Sequence, residues 1–224
     1  MNTAGAAIFD VDGTLTDTNH LHVVAWWEAF RQAGHLVPMP DIHRAVGLSS
    51  GDLIERLLGA DRDSEEDSAI SDAHKVLYGT YYDRLPAFEG ASALLRALAE
   101  RDWRVVLATS ASGPELTALR RAVDADDAIW DTASSSDVAE GKPSPEPVRL
   151  ACQLAGVRTD EAVFVGDSVW DMEAAGRAGV RSVAVLSGGI PRAELERAGA
   201  GSVYHDVAEL LVRLGDSPFG SAVS

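Results

Sequence analysis

The chain has 224 residues, of which 46% are apolar and 24% charged, as in an ordinary globular protein. Its formal net charge of −16 argues against nucleic acid and against a membrane surface as partners, because both are bound by clustered Lys and Arg. No apolar run reaches membrane-spanning length, no signal peptide is readable, and the single Cys152 cannot form an internal disulfide. We therefore expect a cytoplasmic protein, either a monomer or a homodimer.

The first predicted strand covers residues 5–11 and carries two aspartates, Asp10 and Asp12, at the end of an apolar run. Paired aspartates before a glycine also suit a plain turn. The start of an EF-hand is a further alternative, but Leu15 and Leu21 stand where that loop needs glycine and glutamate. The two aspartates are therefore candidates for chemistry, with a turn as the structural alternative.

The stretch that follows is too long for a simple connection between two parallel strands, which needs about 30 residues. Helical spacing predicts helices over 19–34, 50–59 and 65–83, and no strand pattern interrupts them. We expect an inserted helical subdomain between hinges near residues 16–18 and 85–89.

After the insertion, strands and helices alternate. Further strands are predicted over 103–109, 128–133, 161–166 and 180–186, of which 128–133 is the weakest. Helices are predicted over 90–101, 113–123, 144–156, 168–178 and 206–214, and Gly156, Gly176 and Gly179 stand where helices are expected to end. Residues 215–224 are expected to be loose. The alternation predicts an α/β fold with a doubly wound parallel sheet.

Chemistry-bearing residues follow the predicted strands at the same edge of this sheet. Asp10 and Asp12 end the first strand, Thr109 ends the next, and Asp167 follows the strand EAVFVG. Lys142 lies in the loop EGKPSPEP, which leads into a helix. Ligands bind at the carboxyl ends of parallel strands, and gathered carboxylates need a cation among them. Hard oxygen ligands of this kind favour Mg²⁺.

Each candidate also has a structural alternative. Ser168 and Asp171 could form a capping box at a helix start, and Thr109 and Ser110 could be ordinary polar residues at a strand end. Lys142 could be a surface lysine. The chain has two lysines against seventeen arginines, however, which suggests that an ammonium is needed at this place.

Four short sequences together resemble the motifs of the haloacid dehalogenase superfamily, in the same order and at similar spacings: DVDGT, LATS, GKPSPEP and GDSVWD. The resemblance covers roughly residues 4–214 and is to the phosphatase and phosphomutase branch. It implies a Rossmann-like core, here 1–15 and 86–224, and an all-helical cap, here 16–85, which closes over the strand ends.

The resemblance also implies a role for each motif residue. Asp10 would be the nucleophile that forms an aspartyl-phosphate, and its other oxygen would bind Mg²⁺. Asp12 would act as general acid and base, with its main-chain carbonyl on the metal, and Asp167 would supply a further carboxylate. Asp171 would orient water or Lys142.

The remaining implied roles concern the phosphoryl group. Thr109 and the Ser110 backbone N–H would hold its oxygens, and Lys142 would neutralise its charge.

Substrate choice is expected to depend on the cap, with His22 and Trp26 as candidate contacts. The loop GLSSGD has Ser49 and Ser50 where a related bisphosphate-handling mutase has an arginine. This departure favours a phosphatase for a small phosphate monoester, either a sugar phosphate or a phosphoglycolate-like compound. A β-phosphoglucomutase-like phosphomutase and a non-catalytic phosphate-binding protein on the same fold remain alternatives.

Overall fold

The computed structural model describes residues 3–220. Within this range, six strands form one parallel sheet: β1 (Gly5–Phe9), β2 (Trp103–Ala108), β3 (Ile129–Ala133), β4 (Ala162–Gly166), β5 (Arg181–Val185) and β6 (Ser202–Tyr204). Their order across the sheet is β3-β2-β1-β4-β5-β6. This is the doubly wound, Rossmann-like arrangement, and the predicted fold class is confirmed.

Ten helices lie in the same described part of the chain. They are α1 (Asn19–Gln32), α2 (Met39–Ala45), α3 (Ser50–Leu58), α4 (Asp67–Gly79), α5 (Ala91–Ala99), α6 (Gly113–Val123), α7 (Glu146–Ala155), α8 (Val169–Ala178), α9 (Arg192–Arg197) and α10 (Val207–Val212). None of them combines the length and the apolar character that crossing a membrane requires.

The central strand β1 is covered on both faces. Ala7 and Phe9 point into one apolar cluster, to which α5, α6 and α10 contribute. Ala6 and Ile8 point into the opposite cluster, to which α7 and α8 contribute. Because every side chain of β1 is buried, its sequence is continuously apolar, and Asp10 is the first residue at which the chain can present a polar side chain to the sheet edge.

Helices α1 to α4 occupy the insertion between β1 and β2. They have an apolar cluster of their own, which includes Trp26, Phe30 and Ile54. The two ends of the insertion meet, since Thr16 and Ala87 form an isolated antiparallel bridge. The division into a core of 1–15 and 86–224 and a cap of 16–85 stays a prediction, and its outer limits fall on residues outside the described range.

Three details of the predicted elements are wrong. Strand β6 and helix α2, with three and seven residues, were not predicted. Gly176 does not end a helix. It lies inside α8, whose last turn is closed at Gly179 in the left-handed conformation, where Val180 N–H donates to the Ala175 carbonyl.

Part of the tail expected to be loose is packed. Phe219 is buried, with its ring stacked 6.4 Å from that of Phe9 and edge-on at 5.1 Å to Trp103. The expectation is therefore wrong for Phe219, because an aromatic ring this close to the open end of an apolar cluster gains by covering it. Residues 221–224 of the predicted tail lie outside the described residues.

Candidate active site

Three buried carboxylates meet at the carboxyl edge of the sheet. Asp10 follows β1, Asp167 follows β4, and Asp171 lies in the first turn of α8. One oxygen from each lies within 4.8 Å of the others. Because β1 and β4 are paired neighbours, the residues that follow them are held side by side.

Lys142 is the cation of this cluster. Its ammonium, also buried, donates hydrogen bonds to Asp10 Oδ1 and, over 2.7 Å, to Asp171 Oδ1. Asp171 Oδ2 accepts from the Ser168 N–H and hydroxyl, so the predicted capping box is present as well. Asp171 therefore caps α8 and also contacts Lys142. The capping box is confirmed, while the predicted role of Asp171 in the reaction stays a prediction.

The cluster contains more acidic groups than basic ones. Burial raises the pKa of Asp10 well above its usual value, against the lowering effect of Lys142, and burial raises the pKa of Asp167 to about 7. Burial acts to lower the pKa of Lys142, but Asp10 and Asp171 outweigh it and raise that pKa above its usual value. One ammonium thus faces three carboxylates, and a divalent cation would remove the excess negative charge.

The surroundings of Asp167 fit such a cation. Its carboxylate accepts from the Thr14 hydroxyl at 3.1 Å and the Asn19 amide at 2.9 Å, which fixes its orientation. A Cβ at Gly188 would lie 1.7 Å from Asp167 Oδ2, and one at Gly13 would lie 2.4 Å from it. The donor set of hard carboxylate oxygens suits Mg²⁺.

Asp12 is directed away from this cluster, towards the insertion. Its Oδ1 accepts from the Thr18 hydroxyl at 2.5 Å and lies 3.2 Å from His22 Nε2. Burial by itself would raise the pKa of Asp12, but His22 and Thr18 bring it below its usual value. The start of the insertion therefore holds the Asp12 carboxylate in place.

Thr109 and Ser110 follow β2 and line a cavity of about 450 Å³ together with Lys142. The Thr109 hydroxyl accepts from the Ala111 N–H at 3.0 Å, so its own hydrogen is left for another acceptor. The Ser110 N–H makes no hydrogen bond to any residue in the range 3–220. Both groups are thus available to an anion beside Lys142.

The comparisons with known proteins agree with this geometry. A model of haloacid dehalogenase-like hydrolases matches residues 5–179. A phosphoglycolate phosphatase from Rhodospirillum rubrum is 32% identical over 92% of this chain and 88% of its own length, and the protein CbbY from Cereibacter sphaeroides is 31% identical over 92% and 93%. The crystal structure of a hydrolase from Pseudomonas syringae superposes with a TM-score of 0.90 at 35% identity, over 95% of this chain and 98% of that one.

The chain belongs to the haloacid dehalogenase-like hydrolases. The resemblance that the four motifs predicted, including the phosphatase branch, is confirmed, and so is the prediction of a hydrolytic enzyme. The roles of individual residues in this haloacid dehalogenase-like hydrolase stay predictions.

The predicted cap residues reach the same region. His22 is buried and stacks on Tyr78 with 3.8 Å between ring centres, and Trp26 is likewise buried against His74. His22, Trp26, Ser49 and Ser50 all line a second cavity, of about 690 Å³, beside Asp10 and Asp12. Ser49 also caps α3, since its hydroxyl accepts from the Asp52 N–H.

Two titratable residues of this hydrolase's site were missed by the sequence analysis. Glu115 lies in the first turn of α6, with Oε1 3.7 Å from His22 Nε2, and His74 Nε2 lies 3.2 Å from His22 Nδ1. A signal for Glu115 existed, because the helix predicted over 113–123 starts directly after the strand end at Thr109. No sequence signal indicated His74.

Proposed function

We propose that this haloacid dehalogenase-like hydrolase is a Mg²⁺-dependent phosphatase that hydrolyses a small phosphate monoester, either a sugar phosphate or a phosphoglycolate-like compound. The observation that supports this most is the buried cluster of Asp10, Asp167 and Asp171 around Lys142. The name of the R. rubrum relative, a phosphoglycolate phosphatase, is consistent with this proposal. CbbY from Rhodobacter sphaeroides also supports it, because its crystal structure was determined in complex with phosphate. That structure is 29% identical, with a TM-score of 0.74 over 92% of this chain and 96% of its own.

Asp10, Asp167 and the main-chain carbonyl of Asp12 would hold the Mg²⁺ ion. When bound, the ion neutralises negative charge on the phosphoryl group and on the carboxylates around it. Lys142 keeps its proton and fixes one oxygen of Asp10, while Asp10 Oδ2 accepts no hydrogen bond from residues 3–220. That second oxygen is the one left to react.

In the first step, the Asp10 carboxylate attacks phosphorus and the bond to the leaving alcohol breaks. Burial acts to lower the pKa of His22, but Asp12 outweighs it and raises that pKa, so the proton of the Asp12–His22 pair lies on His22. Asp12 passes this proton to the departing oxygen, and an aspartyl-phosphate remains on Asp10. In the second step, water attacks the phosphorus and gives a proton to Asp12, which returns it to His22. The P–O bond to Asp10 breaks, which releases phosphate and restores both side chains.

The phosphoryl oxygens need donors that stay in place while charge moves between them. The Thr109 hydroxyl, the Ser110 N–H and the Lys142 ammonium supply them from two loops at the sheet edge. Such fixed donors lower the barrier because they require no reorganisation during the reaction.

The test is phosphate release from p-nitrophenyl phosphate by the purified protein with Mg²⁺. We expect turnover that EDTA abolishes and that Asp10→Asn reduces by about a thousandfold or more. The exposed Asp160→Asn is the matched control and should retain activity. Turnover that is unchanged in Asp10→Asn would refute the proposal.

The same measurements separate the alternatives. A phosphomutase would convert a sugar phosphate into its isomer and release little phosphate. A non-catalytic phosphate-binding protein would remain at the level of Asp10→Asn with every ester. A cytoplasmic location and a monomeric or homodimeric state stay predictions that fractionation and light scattering can test.

A further inference from the structure

The cavity of about 690 Å³ beside Asp12 is the space into which a leaving alcohol would extend. Its wall on the side of the insertion is partly apolar, with Trp26 and Leu53. Ser50 and Ser112 contribute hydroxyl groups to its lining. The cavity thus suits a small molecule that has both carbon surface and hydroxyl groups.

The charged groups of this cavity are mostly negative. Besides Asp10 and Asp12, it is lined by Glu115, and the one Lys or Arg among the lining residues described is Lys75. The Lys75 side chain is 60% exposed, and its ammonium already donates to Asp72 at 3.0 Å. The buried His22 can also carry positive charge here, and it already lies between Asp12 and Glu115, 3.2 and 3.7 Å from their oxygens. A second anionic group on a substrate would therefore meet two carboxylates and a cation that both of them already share.

Glu115 is the carboxylate in this cavity that the mechanism does not use. One oxygen of Glu115, His22 Nε2 and an oxygen of Asp12 lie within 4.8 Å of one another. Glu115 accepts no hydrogen bond from any side chain or N–H in residues 3–220, although its side chain is only 18% exposed. A hydroxyl group entering the cavity next to Asp12 would find in Glu115 an acceptor without a donor.

The protonation of Glu115 is compatible with such a contact. Burial raises its pKa to about 7, opposed by His22. In its charged form the carboxylate accepts a hydrogen bond from a hydroxyl group, and in its neutral form it also donates one. Both forms can therefore pair with an alcohol, whereas the charged form repels a carboxylate or a phosphate.

We propose, on the basis of the proposed phosphatase function, that Glu115 determines specificity by binding a hydroxyl group of the leaving alcohol. The preferred substrates are then phosphate esters of uncharged polyols, including sugars. Esters whose leaving group carries a carboxylate or a second phosphate are selected against. Of the two substrate classes considered above, this selects the sugar phosphate, and it differs from the substrate named for the R. rubrum relative.

The experiment compares glycerol 3-phosphate with 3-phosphoglycerate, which differ in a CH₂OH group against a carboxylate. In the wild type we expect kcat/KM to favour glycerol 3-phosphate at least tenfold. Glu115→Gln keeps the size and removes the charge, and should reduce this preference at least fivefold, mainly by improving 3-phosphoglycerate. Asp126→Asn, which removes an equal charge from an exposed carboxylate beside Arg120, should leave the preference unchanged.

Three outcomes would overturn the proposal. The first is a wild-type preference for 3-phosphoglycerate. The second is an equal fall of kcat for both esters in Glu115→Gln with the ratio unchanged, which would show that Glu115 only positions His22. In both, turnover of p-nitrophenyl phosphate that depends on Asp10 keeps the phosphatase function intact. The third is absence of turnover with every ester, which refutes both proposals together.

Discussion

The Lys142 ammonium donates a hydrogen bond to Asp171 Oδ1 over 2.7 Å, with both side chains buried beneath the reactive edge of the sheet. The loop that carries Lys142 and the helix start that carries Asp171 are thereby joined by a charge pair. The same ammonium also binds Asp10, so the position of this proposed nucleophile depends on a residue 132 positions away.

Lys142→Met should destabilise the fold and stop the reaction. It leaves two buried carboxylates without their cation, and breaking a buried ion pair in this way costs about 3–5 kcal/mol. We expect the free energy of unfolding without Mg²⁺ to fall by about 3 kcal/mol and kcat to fall at least about a hundredfold. Urea unfolding and phosphate release measure the two effects.

The matched control is Lys75→Met, which changes the other lysine of the chain. Lys75 is exposed and pairs with Asp72 one helical turn away, so its loss should change stability by less than about 0.5 kcal/mol. Equal losses of unfolding free energy in the two variants would show that the buried pairs of Lys142 stabilise the fold no more than a surface pair does.

Gly188→Ala should displace Asp167. The added Cβ would lie 1.7 Å from Asp167 Oδ2, so the carboxylate has to move. We expect the Mg²⁺ concentration for half-maximal activity to rise at least tenfold, and stability to fall by about 1–3 kcal/mol. A Mg²⁺ titration of phosphate release tests the first effect, and urea unfolding tests the second.

Gly51→Ala is the corresponding control in α3. No atom lies within 4 Å of its added Cβ, and its helical position favours alanine by about 0.5–1 kcal/mol. Stability should therefore stay the same or rise, with the Mg²⁺ titration unchanged. A normal titration in Gly188→Ala as well would contradict the close approach of Gly188 to Asp167.

His74→Gln should reduce the loss of unfolding free energy that occurs as the pH falls. Burial, followed by the proximity of His22, lowers the pKa of His74 to about 2, and its Nδ1 has no partner among the described residues. In the unfolded chain a histidine has a pKa of about 6.5, so it binds a proton below that pH, whereas folded His74 stays neutral. The stability from neutral His74 is therefore complete above pH 6.5 and is lost as the pH falls.

The measurement is urea unfolding of both proteins at pH 7.5 and 5.5. The difference in free energy of unfolding should shift in favour of His74→Gln by about 1.4 kcal/mol at the lower pH. His35→Gln, at the surface beside Glu66, is the matched control outside the cluster. The same difference at both pH values would exclude a buried neutral His74.

Trp170→Ala should loosen the insertion from the rest of the chain. Trp170 lies in α8, where its Nε1 donates to the Arg44 carbonyl at 3.1 Å and the Arg56 guanidinium lies 4.8 Å above its ring. We expect amide hydrogen exchange in residues 19–79 to become faster and KM to rise several-fold. Trp130→Ala, on β3, is the control and should affect neither, because Trp130 contacts Arg104 and Leu154 instead.

Much of the site could be predicted because it follows from local sequence. Apolar runs that end in Asp10, Thr109 and Asp167 indicate strands, and parallel strands bring their ends to one edge. The prediction that Lys142 would join them came from its motif and from the scarcity of lysine. The contacts of Lys142 with Asp10 and Asp171 agree with it.

The contacts that the insertion makes could not be predicted in this way. His22 and His74 are 52 positions apart and meet because α1 packs on α4, and Glu115 joins them from a different part of the chain. Phe219 is similar, since its partners Phe9 and Trp103 are distant in sequence. Helical periodicity gives the buried face of each helix but not its neighbour.

The sequence by itself determined the fold class and the carboxylates of the sheet edge. The reason is that pairing in a parallel sheet brings the carboxyl ends of neighbouring strands to the same edge. Only the tertiary structure decided that Asp12 faces His22, that Glu115 enters the second cavity and that Ser49 is occupied in capping α3. Those outcomes depend on how the insertion packs against the sheet edge, which is set by side-chain shape and burial over many residues together.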